Sequence, residues 1–409
     1  MGLVQKIVLV TSGQPSLNPR LVKEADALAH AGYEVLVIYQ YWNDWGTQLD
    51  IELLKQKKWN SIRIGGNPKT NKLIYWKSRI MHKIANILAA RFGYNYALAE
   101  QSITRGCVNL ICKAKKLKAD LYIAHNLGAL PAAVLAAKKY HGKCGFDAED
   151  FHRQEVTNDN NAWDFKLKKF IEDKYFPKID YLTTASPLIT EKYERLYPLI
   201  NPKTILNVFP YEKNLLEKNG EKLKLFWFSQ TIGGNRGLEQ IISSLAYQDN
   251  IELHLLGYSE VSTQQYFNQL AKKNFYKSEN IFYYNPIPPD EIIKLASQFD
   301  IGLATETGVP LNRDICLTNK IFTYIQSGLS LIVSDTTAQK QLLEEYPDMG
   351  MVYKKNNPDS LAQVLQAYIN DQALLLKHQQ QAYQYAEKIL NWEVEKEKFL
   401  SVIKKTLDA

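Results

Sequence analysis

DIGLATETGVPLNRDICLTNKIFTYIQSGLSLIVSD, residues 300–335, reads as strand, acid-bearing loop, helix and strand. Ile301–Ala304 is a short apolar run that ends at Thr305-Glu306, and a polar loop follows. Thr318 is placed to cap a helix that starts near Asn319 and stops at Gly328, and the apolar Ser330–Ser334 is closed by Asp335. Two short strands joined through a helix make a parallel βαβ unit, and open α/β sheets bind ligands outside the carboxyl ends of their strands. Glu306, Arg313 and Lys320 gather at that edge. The helix N-terminus beside them carries about half a positive charge. A carboxylate for sugar or ribose hydroxyls beside cations for phosphate is the chemistry of a nucleotide-sugar site.

The same alternation runs outward along the chain. Ile7–Thr11, Glu34–Tyr39, Leu121–Ala124, Gly145–Ala148, Tyr181–Ala185 and a short Thr204–Leu206 read as one series of strands. Pro19 opens the first helix, whose Leu21, Ala25, Leu28 and Ala29 recur at helical spacing up to Gly32. NPKTILNVFPYEKNLLEKNG, residues 201–220, breaks the pattern with turn residues. A second series then runs through Leu223–Phe228, Ile251–Leu256, Ile281–Tyr284, Ile301–Ala304 and Ser330–Ser334. The expected fold class is α/β, with a Rossmann-like domain over 1–208, a hinge over 209–222, a second Rossmann-like domain over 223–385 and a closing helical segment over 386–409.

Bulk composition excludes more than it specifies. With 409 residues, 45% apolar and 23% charged, the chain has the make-up of a soluble two-domain protein. A net charge of +7 favours anionic partners in general. No basic-aromatic array stands apart from the core pattern, so nucleic acid is not an expected partner. Cys107, Cys112, Cys144 and Cys316 form no CxxC pair and no zinc spacing, so free thiols in a reducing cytosol and no metal are expected. MGLVQKIVLVTSG runs into a strand without a signal-peptide pattern, and Lys6 stands where a myristoylation signal wants Ser or Thr.

Three further stretches can carry chemistry. SGQPSLNPR, residues 12–20, lacks GxGxxG. There Gly13 can let an acceptor approach the backbone and Arg20 can meet an anion, or the stretch is a turn with Arg20 in a surface ion pair. SQTIGGNRGLEQII, residues 229–242, offers Gly233, Gly234 and Gly237 before a helix, with Arg236 as a bidentate donor to a diphosphate. His125 follows the strand LYIA, and FDAEDFHRQE, residues 146–155, follows another. His125 can hydrogen-bond a sugar hydroxyl, and Asp147, Glu149 or Asp150 can orient an acceptor; a structural cap or ion pair is the alternative for each acid.

Lys72–Phe92 reads as a basic amphipathic helix. Leu73, Trp76, Ile80, Ile84 and Ile87 share a face, with Lys72, Arg79 and Lys83 along its flank. It either lies on an anionic bilayer or packs its apolar face on the core, and Lys77 inside the apolar arc suits neither.

Together these segments resemble the GT-B glycosyltransferases, most closely the family 4-like enzymes of bacterial surface polysaccharides. The resemblance rests on LNPRLVKEADALAHAGYEV (17–35), ADLYIAHNLGALPAAVLAAKK (119–139), FDAEDFHRQE, YLTTASPLITEKY (181–193), ILNVFP (205–210), FSQTIGGNRGLE (228–239), TNKIFTYIQSGLSLIVSD (318–335) and NWEVEKEKF (391–399). It implies two Rossmann-like domains facing each other across a cleft, with the closing helix packed toward the first. The implied activity is glycosyl transfer of hexosyl type, retaining and metal-independent. The nucleotide-sugar is a co-substrate, not a cofactor. It would be held by the second domain through Gly233, Gly234, Arg236, Arg313, Asn319 and Lys320. Glu306, His125 and Asp147 would be the catalytic set, and Gly13, Arg20, Glu149 and Asp150 would line the acceptor side. The acceptor would be lipid-linked or a growing saccharide, met in the cytoplasm or at the inner face of the plasma membrane, where Lys72–Phe92 would touch anionic lipid. Thr323 stands where the family has a ribose-binding glutamate, so Thr323 or Asp335 is left for that part. A sugar-nucleotide epimerase and a degenerate GT-B scaffold are the alternative readings.

Overall fold

A parallel strand covered by helices on both faces must be mainly apolar, as the runs Ile7–Val10, Leu121–Ala124, Ile301–Ala304 and Leu331–Val333 are. A computed structural model describes residues 4–218, 220–234 and 236–409. The chain divides into two compact units, Met1–Leu206 with Pro310–Asn312 and Lys396–Ala409, and Asn207–Val309 with Arg313–Glu395.

In the first unit β1 (Lys6–Thr11), β2 (Glu34–Gln40), β3 (Asn60–Ile64), β4 (Leu121–His125), β5 (Lys143–Ala148), β6 (Tyr181–Thr184) and β7 (Lys203–Thr204) form a parallel sheet ordered β3-β2-β1-β4-β5-β6-β7. The order reverses direction between β1 and β4, which is where a doubly wound sheet leaves room for a ligand. Thr11, His125, Asp147 and Thr183 are register partners across four neighbouring strands, so their side chains form one row at the carboxyl edge.

The second unit holds β8 (Leu223–Thr231), β9 (Ile251–Tyr258), β10 (Ile281–Tyr284), β11 (Ile301–Ala304), β12 (Ser330–Ser334) and β13 (Gly350–Tyr353), ordered β10-β9-β8-β11-β12-β13 and again parallel. Its switch point lies between β8 and β11. Leu225, Trp227, Leu253, Leu255, Leu303 and Ile332 build the core around these strands. The Asn319–Gln326 helix sits close on β11 because Gly302 has no side chain: a Cβ there would stand 2.2 Å from the Tyr324 ring. Tyr324 then donates its hydroxyl to the Leu303 carbonyl at 3.2 Å, which fixes the helix and the residues at its start.

Several expectations are corrected. The strands β3 and β13 are not legible in the sequence; both lie at sheet edges, where one side needs no apolar cover. The strand expected at Thr204–Leu206 is the two-residue β7, and Ile205 and Leu206 are buried beyond it. β8 runs on past Phe228 to Thr231 through an irregular register.

The Lys72–Phe92 helix has the expected limits but the core-facing reading of its apolar stripe fails: its buried residues are Ser78, Ala85 and Ala89, while the large apolar ones are exposed. No helix of the described residues is long and apolar enough to cross a membrane.

Candidate functional site

At the switch point of the second sheet, β11 delivers Glu306 and the Asn319–Gln326 helix delivers Lys320. The Lys320 ammonium meets the Glu306 carboxylate at 2.9 Å and lies 5.2 Å above the centre of the buried Trp227 ring. Lys320 is thus held by a carboxylate and by an aromatic face together. Glu306 is 7% exposed. Burial alone would raise its pKa, but Lys320, Arg313 and Arg236 outweigh burial and keep the carboxyl below its usual range. The group is therefore an anion paired with one cation and drawn on by two more, and a ligand phosphate can compete for those cations.

The loop after β8 reaches this cluster through one glycine. Gly237 has φ +86°, and a Cβ on it would lie 2.4 Å from the Thr305 carbonyl oxygen, so the two loops of the switch point touch only because position 237 is bare. Arg236 donates to the Ser229 hydroxyl, which turns the guanidinium back toward the end of β8. Nothing lies within 4 Å of a Cβ built on Gly233, so its backbone is open to approach, while Gly234 has the Glu239 carboxylate nearby. Asn235 lies outside the described residues. Arg313 and Asn319 are half-buried at the same edge.

Thr323 is placed differently from expectation. It is 1% exposed, so it does not present a hydroxyl at the edge, and its carbonyl accepts from Ser327. Asp335 accepts from the Lys355 backbone N–H at 2.8 Å. Lys355 itself was missed with β13: its ammonium lies 3.7 Å from both Asp314 and Asp335, and its side chain passes over Gly308.

The first unit carries a second cluster at its own carboxyl edge. Arg20 is 1% exposed and donates Nε and Nη2 to the two Asp147 oxygens at 2.6 and 2.7 Å, with Nη1 on the Ile205 carbonyl. The surface reading of Arg20 is overturned, and each of its three nitrogens donates within the fold. Thr183 adds a hydrogen bond to Asp147 at 2.7 Å. His125 is 0% exposed, with Nε2 3.2 Å from Glu24 and Nδ1 3.5 Å from Asp147. In this arrangement His125 and Asp147 act on each other, on Arg20 and on Glu24. Sequence reading missed Glu24 and Thr183; Glu24 lies one turn after Arg20, a spacing that pairs charges on a helix.

Around that core, Glu149 accepts from the Asn18 amide at 2.7 Å. The Gly13 N–H donates to the Thr11 hydroxyl, and the Gly13 carbonyl accepts from Gln40. Burial and the Glu155 carboxylate push Asp150 up to about 6. Glu24, His125 and Asp147 each place a ligand-type atom within 4.8 Å of the others, a grouping that can hold a metal. The guanidinium already bound to both Asp147 oxygens supplies positive charge there and opposes a further cation.

This cluster sets a pH dependence. Burial opposes a charged imidazole, but Glu24, Glu149 and Asp147 outweigh it and raise His125 to about 10. Burial, then Asp147, raises Glu24 against the pull of His125 and Arg20. The His125 contribution to stability is complete below the ordinary histidine value of about 6.5 and is lost as pH rises through about 10; the raised Glu24 acts in the same direction. Burial lowers Lys23 to about 7 and Lys218 to about 8, which works in the opposite direction over the same range. The His125 part is therefore read as a difference: the thermal midpoint of the wild type should fall relative to that of His125→Gln as pH rises across that window. An equal slope in both proteins would remove His125 as a source of the pH dependence.

No protein-family profile matches the sequence, and no curated protein does. Solved structures match over nearly the whole chain. Sucrose-phosphate synthase from Thermosynechococcus elongatus is 13% identical over 98% of each chain, with a TM-score of 0.69. HepE from Anabaena in complex with UDP-glucose is 12% identical, over 98% of this chain and 100% of that one, at 0.68. WaaG, a glycosyltransferase involved in lipopolysaccharide biosynthesis, is 14% identical over 96% and 98%, at 0.61. At these identities the likeness is one of fold: the two parallel sheets of seven and six strands have the α/β fold of the GT-B glycosyltransferases.

Proposed function

We propose that the chain is a glycosyltransferase that moves a sugar from a nucleotide-diphosphate sugar to a lipid-linked or growing saccharide acceptor in bacterial envelope polysaccharide synthesis. The observation that carries the reading is Glu306 paired to Lys320 at 2.9 Å, with Arg236 and Arg313 acting on the same carboxylate, at the switch point of the second sheet. As the bond from sugar to diphosphate breaks, negative charge grows on the leaving phosphate and positive charge on the ring. Lys320, Arg236 and Arg313 stabilise the first and Glu306 the second, and in this mechanism the three cations take the part a metal can play. Gly233 and Gly234 offer backbone amides to the diphosphate, and Asn319 adds the start of its helix. Asp335, already organised by Lys355, is the better placed group for the ribose hydroxyls, since Thr323 is buried.

On the acceptor side, Glu149, Asp150 and the Gly13 backbone are the groups offered, and His125, Asp147 and Arg20 position them. Retention of configuration follows the family resemblance. A lipid-linked acceptor places the enzyme in the cytoplasm, peripheral at the inner face of the plasma membrane. HepE crystallised with UDP and with UDP-glucose, which makes UDP the first nucleotide to test.

Titration with UDP, GDP, ADP and CMP should give a selective thermal shift. A nucleotide at a hundredfold over its dissociation constant adds about 2.7 kcal/mol, and Arg236→Ala should abolish it. No shift with any nucleotide would turn the reading to a GT-B scaffold, as the loss of the ribose glutamate at Thr323 allows. Conversion of the nucleotide-sugar without acceptor would turn it to an epimerase.

A further inference from the structure

The Lys72–Phe92 helix is built inside out for a soluble fold. Its small residues Ser78, Ala85 and Ala89 are buried, while Leu73 is 88% and Ile87 60% exposed, with Trp76, Ile80 and Ile84 open along the same face. An uncovered apolar stripe of this length marks an interaction surface. The charge pattern names the occupant. The helix has no Asp or Glu and has five basic residues, Lys72, Lys77, Arg79, Lys83 and Arg91. Among the described residues, the ion pairs that form involve none of those five. The Arg79 guanidinium sits 5.8 Å from the centre of the Trp76 ring, so cation and aromatic body are presented together. A second copy of the chain would bring five like charges against five; a layer of lipid phosphates over acyl chains suits both halves of the pattern.

A pocket of about 290 Å³ adjoins this stripe, between the helix and the segments Leu98–Ile103 and Cys107–Ala114, with Ile74, Met81, Val108, Lys77 and His82 among its walls. Ile74, Lys77 and Met81 belong both to the exposed set and to the pocket lining. The His82 Nδ1 lies 2.8 Å from the Gln101 carbonyl, which ties the helix to the pocket's far wall.

We infer that this helix docks flat on an anionic bilayer, its apolar face in the acyl boundary and its cations on lipid phosphates, with the adjoining pocket receiving the chain of one lipid. The inference specifies the membrane part of the function proposed above and rests on that reading only in supposing a lipid-borne acceptor. Lys77, which suits neither a core helix nor a simple apolar stripe, lies where a lipid phosphate above the pocket would meet it.

The test is co-sedimentation of the full chain with vesicles of phosphatidylcholine, alone or mixed with phosphatidylglycerol. Binding should require the anionic lipid. Exchange of Lys77, Arg79 and Lys83 for Gln should weaken it on the order of a hundredfold, and Ile80→Ser with Ile84→Ser by about tenfold or more. Brominated acyl chains should quench Trp fluorescence less in Trp76→Phe, and Val108→Trp should add a quenched Trp if a chain enters the pocket. Sedimentation that ignores these substitutions, or none with either vesicle, would overturn the docking face; so would a dimer dispersed by Ile80→Ser. An unquenched Trp at position 108 would remove the pocket from it. Nucleotide-induced thermal shifts should persist in every helix variant. If the wild-type chain binds vesicles but no nucleotide, the donor reading fails and the docking face stands.

Discussion

Asp147→Ala should destabilise the first unit by about 3–5 kcal/mol, the cost of leaving one member of a buried ion pair without its partner. The Arg20 guanidinium loses both charge-assisted hydrogen bonds of 2.6 and 2.7 Å and keeps the Ile205 carbonyl and Glu24, whose oxygen is 3.4 Å away. At 1% exposure water cannot replace what is lost. His125 loses a neighbouring anion at the same time, so the row from Thr11 to Thr183 is left with excess positive charge. Asp147→Asn keeps the shape and an acceptor but not the charge, and should fall between wild type and Ala. The double variant Arg20→Met, Asp147→Leu should recover part of the stability lost in Asp147→Ala, because no unpaired guanidinium remains, while the Ile205 carbonyl and the Thr183 hydroxyl lose their partners. Urea denaturation followed by circular dichroism reads all four proteins. A loss below about 1 kcal/mol for Asp147→Ala would mean that Arg20 finds another anion and that the pair does not hold this edge together.

Which parts of this were legible beforehand follows from how strongly burial constrains each position. Central strands such as β4 and β12 are covered on both faces, so LYIA and SLIVS read as strands without help. The edge strand β3, NSIRI, is half open and carries Ser and Arg where a central strand would carry Ile or Val. The residues closing the strands, Glu306, His125 and Asp147, were visible because chemistry placed just beyond an apolar run stands out. Partners brought in by tertiary packing were not: Trp227 reads only as core, yet its ring carries Lys320. Arg20 shows the converse. Its sequence neighbours suggest a helix surface, and only the pairing of β1 with β4 and of β4 with β5 brings Asp147 beneath it. A pattern of residue types records which face of a helix is apolar, but not what covers it, and for Lys72–Phe92 the face that looks like core is the one left open.

Lys320→Ala should lower glycosyl transfer by about two to three orders of magnitude, the range seen when one preorganised charge donor is removed from a developing anion. The variant also exposes how Glu306 is tuned. With Lys320 gone, the largest influence holding the carboxyl down is lost, burial dominates, and only Arg313 and Arg236 still oppose it. The pKa of Glu306 must then rise, because burial favours the neutral acid. In the wild type Glu306 is ionised across the neutral range and activity should not depend on it above its ordinary pKa; in Lys320→Ala an acidic limb should move up toward neutrality, so that part of the lost rate returns as pH is raised. Glu306→Gln in the same background should abolish that limb, since no carboxyl remains to titrate. Lys320→Arg should not restore wild-type rates: a planar guanidinium keeps the charge but not the point contact with Glu306 above Trp227. The measurement is kcat/KM against pH, with the donor selected by nucleotide titration and folding checked by circular dichroism. A Lys320→Ala rate within about threefold of wild type, well under the 1.4 kcal/mol of a tenfold effect, would show that Lys320 only neutralises Glu306 in the resting fold and meets no phosphate.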